Sequence, residues 1–127
     1  MTIHSFYPIH IRKIVFNYDH VHGWGNGYVA ISESNLYYGE DYNNIPVEVH
    51  GGLTYGKFMS RDPYMSRIFA VFREGVGIRS DLYVVGFDTM HYMDTPISCN
   101  KEFVLNETKN LAIQLFDFRN PFYPDEL

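Results

Sequence analysis

A single cysteine, Cys99, among 127 residues excludes an intrachain disulfide and leaves no cysteine pair for a zinc knuckle or ribbon, which fits a reducing compartment. No run of about eighteen apolar residues occurs, so no membrane-spanning helix is expected. A signal peptide is not expected either, because the apolar stretch from Ile9 to Phe16 is interrupted by His10, Arg12 and Lys13. The expectation is a soluble, cytoplasmic protein. Basic residues are few: ten Lys and Arg stand against fifteen Asp and Glu, for a net charge of -5. That balance opposes attraction to a phosphate backbone, and no basic stripe exists to track one, so direct nucleic-acid binding is not expected. Three catalytic signatures are missing as well, namely GxxxxGK[ST], GxSxG and HExxH. Pro, Ser and Gly nowhere accumulate into a linker.

What is present reads as one globular domain over residues 1–127, with 46% hydrophobic and 17% aromatic residues. The first two thirds have strand period. Ile9-His10-Ile11 alternates and leads into Ile14-Val15-Phe16, and Gly27 to Ile31 is a second apolar run after the turn residues Gly25-Asn26. From Ile45 the alternation is clean, with Ile45, Val47 and Val49 on one face and Pro46, Glu48 and His50 on the other. Pro46 places that expected strand at its own start or at a sheet edge. Arg67 to Phe72 and Leu82 to Phe87 are further apolar runs, and the second is unbroken enough to predict an interior strand covered on both faces. The final third changes period. Val104, Thr108, Leu111 and Leu115 recur at helical spacing, Asn100 is placed to cap, and Pro121 stops the helix, which predicts a helix over 101–116. The fold class expected is α+β, an antiparallel or mixed sheet of about five strands with one main helix packed on it.

Several stretches carry chemistry-bearing residues. In "VEVHGGLTYG", His50 precedes Gly51 and Gly52, which permit unusual backbone conformations and close approach to the main chain; the plainer reading is a bend with His50 hydrogen-bonded at the surface. In "VVGFDTMHYMD", Asp88, His91 and Asp94 follow at intervals of three, so one helical turn would align them, and a carboxylate beside an imidazole suits a general base or a metal ligand. There the plainer reading is a turn in which Asp88 accepts backbone N–H bonds. His20 and His22 in "DHVHGWGNG" share a face if extended, the spacing of a chelating pair, or else line a polar loop beside Trp24. Cys99 stands before the helix without a nucleophile's local signature. Tyr37, Tyr38 and Tyr42 cluster, either as cover over the core edge or as a binding platform. If the segments ending in His50 and Asp88 are neighbouring strands, His50, Asp88, His91 and Asp94 converge at one sheet edge.

Taken together, "NGYVAI", "YYGEDYNNIPVEVHGGLTYG" and "VVGFDTMHYMD", followed by "FVLNETKNLAIQL", resemble a family of small bacteriophage- and prophage-encoded proteins. The shared pattern is GYV, a Tyr-Gly segment, VHGGLT, then GFD with a downstream His and Asp. It spans roughly residues 26–115, and VHGGLT is its most specific block. The resemblance implies an origin more than a mechanism, and it singles out Gly27, Tyr28, His50, Gly51, Gly52, Thr54, Asp88, His91 and Asp94. This chain departs from the pattern at Tyr83-Val84-Val85 before the GFD and at Tyr92-Met93 after the His.

Two functional classes follow as expectations. The favoured one is a non-catalytic accessory factor that binds a host protein or a small signalling molecule, for host takeover or to inhibit a defence, through a binding edge of His50, Gly51, Gly52, Thr54, Asp88, His91 and Asp94. The alternative is a small metal-dependent hydrolase in which His50, Asp88, His91 and Asp94 hold the ion. The sequence assigns no cofactor and no oligomeric state.

Overall fold

The computed structural model describes residues 9–13, 22–76 and 81–119. Among them, β1 (Ile9–Lys13), β2 (Gly25–Ile31), β3 (Tyr55–Phe58) and β4 (Tyr83–Phe87) form one four-stranded sheet in the order β1-β2-β4-β3. Every neighbouring pair is antiparallel. All five residues of β4 are buried. Its unbroken apolar sequence demands this, because a strand with no polar face must be covered on both sides.

The two covers are helices. On one face Tyr28, Ala30, Val84, Leu82 and Met59 pack with Met65 and Phe69 of α1 (Pro63–Val76). On the other, Val29, Ile31, Tyr83, Val85 and Phe87 pack with Val104, Leu111, Ala112 and Leu115 of α2 (Lys101–Phe116). Each fully buried aliphatic or aromatic side chain here contributes about 1.5–3 kcal/mol by leaving water. The fold is therefore α+β. The helix expected over 101–116 has those bounds, and the Asn100 side chain caps it by accepting from the Phe103 N–H at 2.9 Å.

Two expectations are corrected. Arg67 to Phe72 belongs to α1, so the fold has two principal helices where one was expected. The local signal was Asp62-Pro63: Asp62 Oδ1 accepts from the Tyr64 and Met65 N–H groups at 3.0 and 3.3 Å, and proline suits the first helical position. Ile45 to Val49 is extended, with Ile45 buried and Val47 and Val49 half-buried against the core, but it joins no ladder. Side chains of α2 take the place of a neighbouring strand. Gln114 accepts from the Glu48 N–H at 2.8 Å and donates to the Glu48 carbonyl at 2.9 Å. The described residues thus hold four strands rather than about five. The expected strand residues Ile14-Val15-Phe16 lie outside the described residues.

The tyrosine cluster serves as cover. Tyr38 packs edge-on against Phe58 and Tyr83, its hydroxyl donates to the Asp81 carbonyl, and the Tyr83 hydroxyl donates to the Glu40 carbonyl at 2.7 Å. No helix among the described residues is long and apolar enough to cross a membrane.

Candidate functional site

Antiparallel pairing of β3 with β4 sets the entry to β3 beside the exit from β4. Tyr55 is the register partner of Gly86, and the Thr54 N–H donates to the Gly86 carbonyl at 2.9 Å. The loop from His50 to Thr54 therefore runs alongside the segment that leaves the sheet at Asp88. His50 is delivered to this junction by α2, whose Glu107 Oε2 accepts from the His50 N–H at 2.8 Å. The chain then bends, with the Gly52 N–H donating to the Val49 carbonyl at 2.9 Å and with φ of +70° at Gly51 and +79° at Gly52. Both values lie in the region that glycine occupies without steric penalty.

Three cross-contacts join the two segments. His50 Nε2 lies 2.6 Å from Asp94 Oδ1. Thr54 Oγ1 donates to Asp88 Oδ2 at 2.8 Å. Between them Gly51 lies against the His91 ring, where a Cβ would stand 2.2 Å from Cε1. Gly52 differs from its neighbour, since a Cβ there meets no atom within 4 Å. The residues of "VHGGLT" and "GFDTMHYMD" are thus each other's partners.

Asp88, His91 and Asp94 do come together, though not on a helical turn. Asp88 Oδ1 accepts from the Met90 N–H at 3.0 Å, the backbone-capping role of an Asx turn. Residues 91–94 then form a β-turn closed by the Asp94 N–H to the His91 carbonyl at 2.9 Å. Asp94 Oδ2 reaches back to the His91 N–H at 2.9 Å and to its Nδ1 at 2.8 Å. His91 Nε2 stands 3.7 Å from Asp88 Oδ1.

Asp94 is the hub. It is 3% exposed, while the His50 and His91 side chains are 26% and 36% exposed. Burial acts to raise its carboxyl pKa, but the hydrogen bonds from the His91 N–H, the His91 ring and the His50 ring outweigh it, and the pKa is held below the usual carboxylate value. An ionised Asp94 is acceptor only, so neutral rings donate to it through His50 Nε2–H and His91 Nδ1–H. One buried carboxylate thereby selects the tautomer of both imidazoles and leaves His50 Nδ1 and His91 Nε2 as acceptors.

Cys99 joins this group from the start of α2, its Sγ 3.6 Å from both His50 Nε2 and Asp94 Oδ1. Burial foremost, with Asp94 beside it, pushes the thiol pKa up, so Cys99 is not an activated nucleophile. Neither Cys99 nor Glu107 was selected as a site residue from sequence. Cys99 had only its position before the Asn100 cap as a signal, and Glu107 had none beyond lying on the polar side of the helix. His20 lies outside the described residues, so the expected pairing with half-buried His22 does too.

The loop from 88 to 99 faces two ways. Thr89, Asp94 and Cys99 are buried and pin it: Thr89 Oγ1 donates to the Gly25 carbonyl at 2.7 Å, and the Gly23 and Trp24 N–H groups donate to the Thr89 and Cys99 carbonyls at 2.8 and 2.7 Å. Between these anchors Tyr92 is 94%, Met93 78% and Ile97 88% exposed. Tyr92 and Met93 are the central residues of the turn that Asp94 closes.

No protein-family model, curated protein or solved structure matches the chain.

Proposed function

We propose that this chain is a small accessory factor of phage type that binds a host protein through the 88–99 loop and its polar rim, as an inhibitor of host defence or an agent of host takeover. The observation that carries this reading is the exposure of Tyr92, Met93 and Ile97 on a loop whose backbone is fixed by buried Thr89, Asp94 and Cys99. Aromatic residues and methionine are enriched at protein interfaces, and an anchored loop loses little conformational entropy on docking. Around it, Asp88 and the ring nitrogens of His50 and His91 that are not bonded to Asp94 supply polar groups that set orientation. The net charge of -5 adds a preference for a basic partner surface. A cytoplasmic site of action in the host cell goes with this reading.

The test is capture from phage-infected and uninfected bacterial lysate with tagged protein, comparing wild type with Tyr92→Ser/Met93→Ser and with His91→Ala, and reading the complexes by native mass spectrometry. A protein captured by wild type and lost with Tyr92→Ser/Met93→Ser supports the reading. Capture unchanged in both variants, or a retained small molecule with no protein, overturns it.

A second reading, a small metal-dependent hydrolase, is favoured by one observation: donor atoms of His50, His91 and Asp94 all lie within 4.8 Å of one another. In that reading these three residues hold the ion and Asp88 orients His91.

A further inference from the structure

We propose that His50, His91 and Asp94 form a binding site for one divalent transition-metal ion of the zinc class. The proposal rests on the geometry of the cluster and is independent of whether a protein docks on Tyr92 and Met93. Two imidazole nitrogens and one carboxylate form a donor set that zinc, cobalt and nickel accept readily, and three protein ligands leave a coordination position for water or a partner's side chain. The donors come from two segments locked to each other, so the set is assembled by the fold before any ion arrives. Its carboxylate lies at the bottom and the two half-exposed imidazoles stand between it and solvent, which supplies an entry path.

Two further placements point to an ion rather than to a hydrogen-bonded clasp alone. First, Asp88 Oδ1 stands 3.7 Å from His91 Nε2, and the carboxylate is held in place by Thr54 Oγ1 donating to its other oxygen, Oδ2, at 2.8 Å. When His91 ligates through Nδ1, its proton resides on Nε2 and faces that carboxylate, the usual support for a metal-bound imidazole. Second, Cys99 Sγ lies 3.6 Å from both His50 Nε2 and Asp94 Oδ1. A sulfur and a nitrogen bound to one tetrahedral zinc ion are about 3.5 Å apart. Cys99 is not among the three donors that meet within 4.8 Å, so it borders the set as a soft neighbour and leaves the fourth position to water or a partner, while magnesium, which takes oxygen ligands, is poorly suited by two imidazoles.

Loading changes the present contacts in a defined way. The 2.6 and 2.8 Å separations between the rings and Asp94 are those of shared protons. Nitrogen and oxygen ligands on one zinc ion sit about 3.3 Å apart, so each ring withdraws by about 0.5–0.7 Å and moves its proton to the distal nitrogen.

The experiment is a titration of chelator-treated full chain with zinc, cobalt and magnesium chloride, followed by calorimetry and by the imidazole NMR signals. One zinc ion per chain is expected at micromolar concentration or below, cobalt is expected to follow, and magnesium is expected not to bind. The signals of His50 and His91 should shift together. Folded His50→Gln and His91→Gln variants, checked by circular dichroism, should each lose about 100-fold or more in zinc affinity, and Asp88→Asn about tenfold. No zinc binding by the wild type overturns the proposal, as does binding that shifts only other histidines or that survives both substitutions. Because these readouts use the isolated chain, they stand or fall separately from partner capture.

Discussion

Gly51 and His91 occupy one space: the hydrogen that Gly51 carries in place of a side chain faces the imidazole, and a Cβ would lie 2.2 Å from Cε1 and 2.3 Å from Nε2. Gly52, next in the chain, has a similar positive φ but open surroundings. Two adjacent glycines are therefore needed for different reasons.

Substitution separates them. Gly52→Ala should cost about 1–2 kcal/mol, the strain of a left-handed alanine. Gly51→Ala adds displacement of His91 to the same strain and should cost clearly more, with the His91 ring signal shifted in the folded variant. Equal losses of stability in urea denaturation would show that the contact with His91 carries nothing.

Asp94→Asn keeps the shape of the hub and removes its charge. One imidazole or backbone donor then loses its acceptor, at a cost of about 1–3 kcal/mol. The pH dependence has a definite sign. The folded pKa of Asp94 lies below its ordinary value of 3.8, so its contribution to stability is complete above that range and is lost as pH falls toward the folded value. Acid denaturation of the wild type minus that of Asp94→Asn should therefore shrink as pH is lowered from about 5. A difference that stays constant through the acid limb would show that Asp94 carries no charge in the folded protein.

The backbone of Glu48 and the N–H of His50 depend on α2 for their hydrogen bonds. Gln114→Ala removes both bonds to Glu48, and Glu107→Ala frees the His50 N–H. Each should cost about 1–2 kcal/mol. The more specific readout is hydrogen exchange, which should accelerate at Glu48 in the first variant and at His50 in the second. Unaltered protection at both amides would mean that apolar packing of Ile45, Val47 and Val49 holds the segment alone.

Leu111 is fully buried between α2 and the sheet. Leu111→Ala should lower stability by about 2–5 kcal/mol, and Leu111→Asp should abolish folding by placing an unpaired charge in the core. A thermal midpoint unchanged in Leu111→Ala would remove α2 from the core.

The sequence by itself determined the elements whose burial pattern repeats along the chain. Val104, Thr108, Leu111 and Leu115 could form one apolar stripe only as a helix, and the unbroken run into Phe87 could be buried only between two covers. It determined the inward face of Ile45, Val47 and Val49 too, because alternation reports which side is buried. Alternation does not report what satisfies the backbone. That was decided by the arrival of α2, whose Gln114 and Glu107 lie far along the chain. Arg67 to Phe72 was ambiguous for a related reason: a short apolar run fits a strand or a buried helix, and the Asp62-Pro63 start was the only local arbiter. At the site, residue types and spacings named His50, Asp88, His91 and Asp94. Only the pairing of β3 with β4 put them in contact, made Asp94 the buried hub, set Gly51 on His91 and brought in Cys99. Local sequence controls conformation and which face is buried, whereas a hydrogen-bond partner forty-four residues away exists only once long-range packing has closed the loop between them.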